Sequence, residues 1–163
     1  MNLTKVASLL MCVFVVAVSP TQAATSASSP TGQSLTVSKS KNISPRGVWL
    51  TVTGKKFNET VGIYVALCVI PKKGKVPSPC GGGVDKTGNA RASVWISSNP
   101  PRYGLGLAVP YAIGGKFSVK LKVGPKIGSF DCRKIKCAIT SRADHLQTSD
   151  RSADVFIPVT FAK

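Results

Sequence analysis

Few residues in this chain carry reactive chemistry. Cys68, Cys80, Cys132 and Cys137 are thiols that either oxidise in pairs or ligate a metal. A zinc site needs cysteines two residues apart or a histidine cluster, whereas both cysteine pairs are spaced more widely and His145 is the sole histidine. Asp144 precedes His145, with Ser141 and Ser152 nearby as notional nucleophiles. Adjacent residues on an extended chain point to opposite sides, and no Gly-x-Ser-x-Gly turn precedes either serine. His145 is therefore expected to make structural hydrogen bonds near the last turn, and the chain is not expected to be an enzyme. Gly81, Gly82 and Gly83 lack the Gly-Lys-Ser/Thr ending of a phosphate loop and read as a flexible turn. Neither a metal nor a cofactor is expected.

Charge is the strongest compositional feature. Lys and Arg number 22 against 6 Asp and Glu, a formal net charge of +16. Clusters occur at Lys55-Lys56, at Lys72, Lys73 and Lys75, along Lys116, Lys120 and Lys122, and at Arg133, Lys134 and Lys136. Gathered on one face, they would bind DNA or an anionic wall polymer with an affinity that falls as salt rises. No nucleic-acid recognition motif accompanies them, so readout of a base sequence is not expected.

The compartment decides what the cysteines do. Residues 1–23 have the form of an export signal: Lys5 gives a charged start, residues 6–18 an apolar stretch, and Thr21-Gln22-Ala23 a small-residue cleavage site. That apolar run is short for a bilayer, so no membrane span is expected in the mature form. Cleavage removes Cys12 and leaves four cysteines in an oxidising environment, where a disulfide framework is the expectation. Of three connectivities, the local pairing Cys68–Cys80 and Cys132–Cys137 closes the shortest loops and is the one expected. Each bridge stabilises by about 2–4 kcal/mol, with short loops at the low end. The product would be secreted or held at the cell surface, as a monomer.

The elements that must position these residues are strands. Residues 24–33, rich in Ser, Ala and Thr, read as a disordered leader. Residues 34–163 form one domain of a size that buries a real core. Strand patterns fall at 34–38, 48–53, 62–70, 90–96, 116–123, 136–141 and 154–161. The segment 116–123 alternates most cleanly, with Phe117, Val119, Leu121 and Val123 inward. Segment 62–70 is apolar on both phases, as a covered central strand would be. Pro158 assigns the last strand to a sheet edge or a bulge. Seven short strands without a helical period predict a seven-stranded immunoglobulin-like Greek-key β-sandwich with two short-range disulfides, ahead of a closed barrel.

By the same alternation Trp49 and Trp95 fall on the water-facing phase, where they would make a binding platform. Tyr103, Leu105, Leu107 and Tyr111, in the proline-rich stretch 99–115, look exposed and suited to a recognition loop or a flap.

The central strand ending in Cys68, its partner Cys80 beyond a Gly/Pro-rich loop, and Phe130-Asp131-Cys132 with Cys137 resemble the neocarzinostatin-type apoproteins. These are small secreted actinobacterial immunoglobulin-like domains. The tail, from Ala143-Asp144-His145 to Ile157-Pro158-Val159-Thr160-Phe161, is more similar to the family's surface-protein members than to its antibiotic carriers. The resemblance implies a binding protein. In the carriers, an apolar cleft between the sandwich and a disulfide-tipped ribbon holds a chromophore that acts on DNA. It implies one cleft wall of Tyr64 and Ala66 with the Cys68–Cys80 bridge, and another of the Cys132–Cys137 bridge with Ala138, Thr140 and Arg142. Trp95 joins that set by alternation. The chain departs from the carriers in three respects. Thr140 stands where they have glycine, the charge is basic where theirs is acidic, and the segment 99–115 has no counterpart. The expected function is an exported, non-enzymatic holder of an apolar small molecule. The alternative is a surface or adhesion module that binds anionic polymers through its basic face.

Overall fold

A computed structural model describes residues 23–82, 87 and 89–163. Residues 1–22 of the expected export signal lie outside the described residues. Two four-stranded antiparallel sheets face each other. The first holds β1 (Thr25–Ser28), β2 (Ser34–Val37), β3 (Val48–Lys55) and β6 (Phe117–Val123), in that order. The second runs β10 (Val155–Val159), β9 (Cys137–Ala143), β4 (Ile63–Val69), β5 (Ser93–Ile96). A small ribbon pairs β7 (Lys126–Ile127) with β8 (Phe130–Asp131).

All seven expected strands are present, and the reason is visible in β6. Phe117, Val119, Leu121 and Val123 are buried while Ser118, Lys120 and Lys122 are exposed, which is the period-two pattern of a half-covered strand. Leu35, Val37, Leu50 and Val52 from the first sheet join them, facing Ile63, Val65, Leu67, Val94, Ile96, Ile139 and Ile157 from the second. As a central strand, β4 is covered on both phases. β10 lies at the sheet edge, where Pro158 can stand without a ladder hydrogen bond to give.

One expectation is corrected, and one element is new. Residues 25–28, read as part of a disordered leader, form β1, hydrogen-bonded to β2 in register Thr25↔Val37 to Ser28↔Ser34. Its apolar content is low, but the backbone ladder holds it together with hydroxyl pairs, Ser26 to Thr36 and Thr25 to Ser40, each 2.7 Å. The β7–β8 ribbon was not anticipated. Its hairpin turn is Gly128-Ser129, with Gly128 at φ +56°, a conformation glycine adopts without strain. Among the described residues no helix is long and apolar enough to cross a membrane.

Candidate ligand-binding face and groove

The register of the second sheet sets which residues share its outer face. Tyr64 lies opposite Arg142 on β9 and Trp95 on β5; Ala66 lies opposite Thr140; Cys68 lies opposite Ala138. All six expected ligand residues therefore stand on one face, on three adjacent strands.

The first bridge belongs to that face. Val69 N–H donates to Pro79 O at 3.0 Å and Gly81 N–H to Leu67 O at 2.7 Å, so Cys80 sits beside β4 directly opposite Cys68. This is the closely spaced antiparallel pair, with Cα atoms 4.0 Å apart, and the two cysteines are joined. Cys132 is joined to Cys137 just beyond the ribbon.

The face is unevenly open. Ala66, Ala138 and Thr140 are buried, and the Thr140 hydroxyl donates to Ala138 O at 3.3 Å. Pro77, itself buried, closes in here, its carbonyl accepting from Arg142 Nη1 at 3.2 Å. These three residues therefore line no open cleft. Tyr64 and Arg142 are half-buried, with the guanidinium carbon 5.8 Å from the Tyr64 ring centre.

Beside them the segment 99–115 folds back over the sheet. Val109 N–H donates to Trp95 O and Ser97 N–H to Val109 O, each 2.9 Å, which pairs the segment with the free edge of β5. The turn Arg102–Gly104 then sits on Trp95, so close that a Cβ on Gly104 would enter the indole. Trp95, expected at the surface, is consequently 9% exposed. Trp95 does stand on the outer phase of β5; its cover is the turn Arg102–Gly104, the next element along the chain, folding back onto it. Tyr111 is corrected likewise: it is 8% exposed, its hydroxyl donates to Val61 O at 3.0 Å, and burial drives its pKa well above the ordinary phenol value. Leu107 is half-buried, whereas Tyr103 and Leu105 are exposed, as is Trp49 at 52%.

His145 completes an aromatic cluster. Its ring centre lies 5.2 Å from that of Trp95 and 5.9 Å from those of Tyr64 and Tyr103. The Tyr64 hydroxyl is 2.6 Å from Nδ1 and the Tyr103 hydroxyl 2.6 Å from Nε2. A neutral imidazole satisfies both, donating from one nitrogen and accepting at the other. Burial and then the nearby Asp144 charge raise the Tyr64 pKa. Asp144 is turned away from His145: Oδ2 accepts from Trp95 Nε1 and Oδ1 from Leu146 N–H, each at 2.9 Å. Ser141 is on the core face of β9, its hydroxyl donating to Ala153 O at 2.8 Å. These groups do not form a nucleophile and base.

The open concavity lies at the other end of the face. A groove of about 400 Å³ runs between residues 79–82 and the ribbon at 126–130. Pro79, Cys80 and Ile127 line it with Phe130, which is 43% exposed. Asp131 pins the ribbon: its carboxylate takes Arg133 Nε at 2.9 Å and Nη2 at 2.7 Å, with Lys126 Nζ at 3.1 Å. The Arg133 hydrogen bonds above all hold that carboxyl far below the usual carboxylate range. The Gly128-Ser129 dipeptide, a two-residue hairpin-turn type, is the sequence signal that marks this ribbon.

The basic residues expected on one face divide into two groups. Lys120 and Lys122 are on the outer face of the first sheet. Lys134 and Lys136 lie in the second bridge loop near Lys72, Lys73 and Lys75, since Ile70 N–H donates to Lys136 O at 3.0 Å. Arg133 in that loop is tied to Asp131. A wider groove of about 570 Å³ borders the loop and residues 159–163.

An immunoglobulin-like sandwich with a short two-stranded ribbon followed directly by a disulfide-closed loop is a recognisable architecture. Among solved structures, macromomycin matches it with a TM-score of 0.51 at 17% identity, over 80% of this chain and 100% of that one. Macromomycin is a neocarzinostatin-family apoprotein, and the fold of this chain is the fold of that family. No protein-family profile and no curated protein matches the sequence.

Proposed function

We propose that this chain is an exported, non-enzymatic binding protein that holds an apolar small molecule in the groove between the Cys68–Cys80 edge and the β7–β8 ribbon. One observation carries the reading: Phe130, a large apolar side chain left 43% exposed, lines a groove of about 400 Å³ together with Pro79, Cys80 and Ile127. Concave, mostly apolar spaces of this size suit small ring systems. The position agrees with the cleft between sandwich and ribbon implied by the resemblance to neocarzinostatin-type carriers, and the two disulfides agree with export. Arg142 acts at a distance by fixing Pro77, three residues from Cys80. Tyr64, Trp95, Ala66, Ala138 and Thr140 share the outer face of the second sheet but do not line the groove.

Native mass spectrometry with an absorption spectrum, on protein recovered gently from its own host, tests the reading. Excess mass lost on denaturation, with absorbance beyond that of tryptophan and tyrosine, supports it. The recombinant protein is then titrated with 2-naphthol as an apolar probe. Phe130→Ala should weaken probe binding several-fold, and Arg142→Ala should do so less. A bare polypeptide that also fails to take the probe overturns the proposal. Loss of binding in Tyr64→Ala, with Phe130→Ala unaffected, would move the ligand to the Tyr64–Tyr103–His145 end of the face.

A further inference from the structure

The outer face of the first sheet combines cations, hydroxyls and one exposed tryptophan. Along β3 and β6 it presents Trp49 opposite Lys122 and Thr51 opposite Lys120, with Lys120 Nζ donating to Thr51 Oγ1 at 2.7 Å. Arg91 flanks this corner, since Lys122 N–H donates to Arg91 O at 2.8 Å. The remaining rows are serines and threonines, such as Thr36, Thr53 and Ser118 aligned across three strands, with Lys55 opposite Ser34 at the far end. Of the chain's 6 acidic residues, Asp85 lies outside the described residues and none of the others stands on this sheet.

That chemistry selects a class of ligand. Ammonium and guanidinium groups only donate hydrogen bonds, and no carboxylate is interleaved to accept them, so the face is complementary to an anion. The serine and threonine hydroxyls could pair with a neutral ligand. Such a ligand would leave the charges of Lys120, Lys122 and Arg91 without a counter-charge, which an anion supplies. Trp49 adds a flat ring, 52% exposed, where Trp95 is buried. A phosphate polymer without rings makes no use of an indole; a strand of bases does. Alternate residues of a β-strand lie about 7 Å apart, so Lys120 and Lys122 can meet successive phosphates of an extended chain. A duplex hides its base faces and cannot stack on Trp49.

We propose that this face binds single-stranded nucleic acid without sequence preference: a base stacks on Trp49 while Lys120, Lys122 and Arg91 take neighbouring phosphates. This gives the alternative reading of the chain, polyanion binding, a defined place and ligand. It rests on a different sheet and different residues from the groove, so either reading can fail alone.

Fluorescence anisotropy with a labelled twenty-nucleotide oligothymidylate tests it on the full chain after leader removal. Affinity should fall about twentyfold between 50 and 200 mM salt for three phosphate contacts. Trp49→Ala should lose roughly tenfold or more in affinity, and Trp49→Phe should retain most of it. Tryptophan emission should be quenched on binding, with the quenching absent in Trp49→Ala. An abasic strand of equal length and inorganic polyphosphate should compete poorly. Equal competition by either, unchanged affinity in Trp49→Ala, a preference for duplex, or absence of binding would each overturn the proposal.

Discussion

Asp144 holds Trp95 in place: the indole N–H donates to Oδ2 at 2.9 Å, in a position where the carboxylate is almost wholly buried. The pair ties the loop after β9 to β5 across the central strand. It also fixes the ring on which the Arg102–Gly104 turn and His145 rest.

Replacing that carboxylate should therefore be costly. Asp144→Ala leaves the Trp95 N–H without a partner in a buried setting and removes the part-buried bond from Leu146 N–H, and unfolding stability should drop by about 2 kcal/mol. Urea denaturation of the variant measures this. In a Trp49→Phe background, where Trp95 alone reports, its emission should also shift to the red. A loss under about 0.5 kcal/mol would mean that water already reaches the pair.

Gly62 makes the same point by geometry. A Cβ there would overlap Asp144 Oδ2 and crowd Trp95 Nε1. Gly62 O also accepts from Asp144 N–H at 2.9 Å, so the backbone cannot easily retreat. Gly62→Ala should destabilise by about 1–3 kcal/mol, the range for overpacking a closed site. The thermal midpoint should fall accordingly, and an unchanged midpoint would show that the 144–146 loop yields.

These residues mark the boundary of what the sequence discloses. Strands half-covered by a partner sheet declare themselves through alternation, so β6 is legible. Tyr64, Ala66, Ala138, Thr140 and Arg142 come from the resemblance, with Trp95 added by alternation, and the strand register puts them on one face. Trp49 and Trp95 have the same local signature, yet one is open and the other covered. The difference lies in residues 102–109, which follow β5 closely in the chain and fold back onto it, a docking that leaves no alternation to read. β1 was hidden for the opposite reason: its ladder is made by backbone groups and hydroxyls, which leave little hydrophobic trace. The groove depends on a ribbon of two-residue strands, too short to show a period. Charge clusters gave numbers of cations but no positions, and Lys120 and Lys122 proved separate from the bridge-loop lysines.

The ribbon should respond to acid through Asp131. Its folded-state pKa is depressed, so the stabilisation is present above the unfolded value of about 4 and is lost as pH falls below it. Asp131→Asn should reproduce the acid state at neutral pH by weakening the bonds to Arg133 and Lys126. Faster hydrogen exchange at Ile127 and Phe130, with weaker 2-naphthol binding, is expected in that variant. Exchange matching wild type at pH 7 would show that the Cys132–Cys137 bridge alone fixes the ribbon.

Asp154 should give the opposite dependence at higher pH. Burial pushes its pKa up to about 6, and Arg151, 3.0 Å away, offsets only part of that because Oδ1 is buried without a partner. The folded state therefore holds this proton more tightly than the unfolded chain, whose aspartates titrate near 4. The resulting stabilisation is complete below pH 4 and is lost as pH rises through about 6. After allowance for solvent screening, the loss should be about 1–2 kcal/mol. In Asp154→Asn this slope is absent, so the stability of wild type minus that of the variant should decline between pH 4 and 7. Urea midpoints of both proteins across that range measure the difference, and a constant difference would mean that Asp154 ionises in the fold as easily as in water.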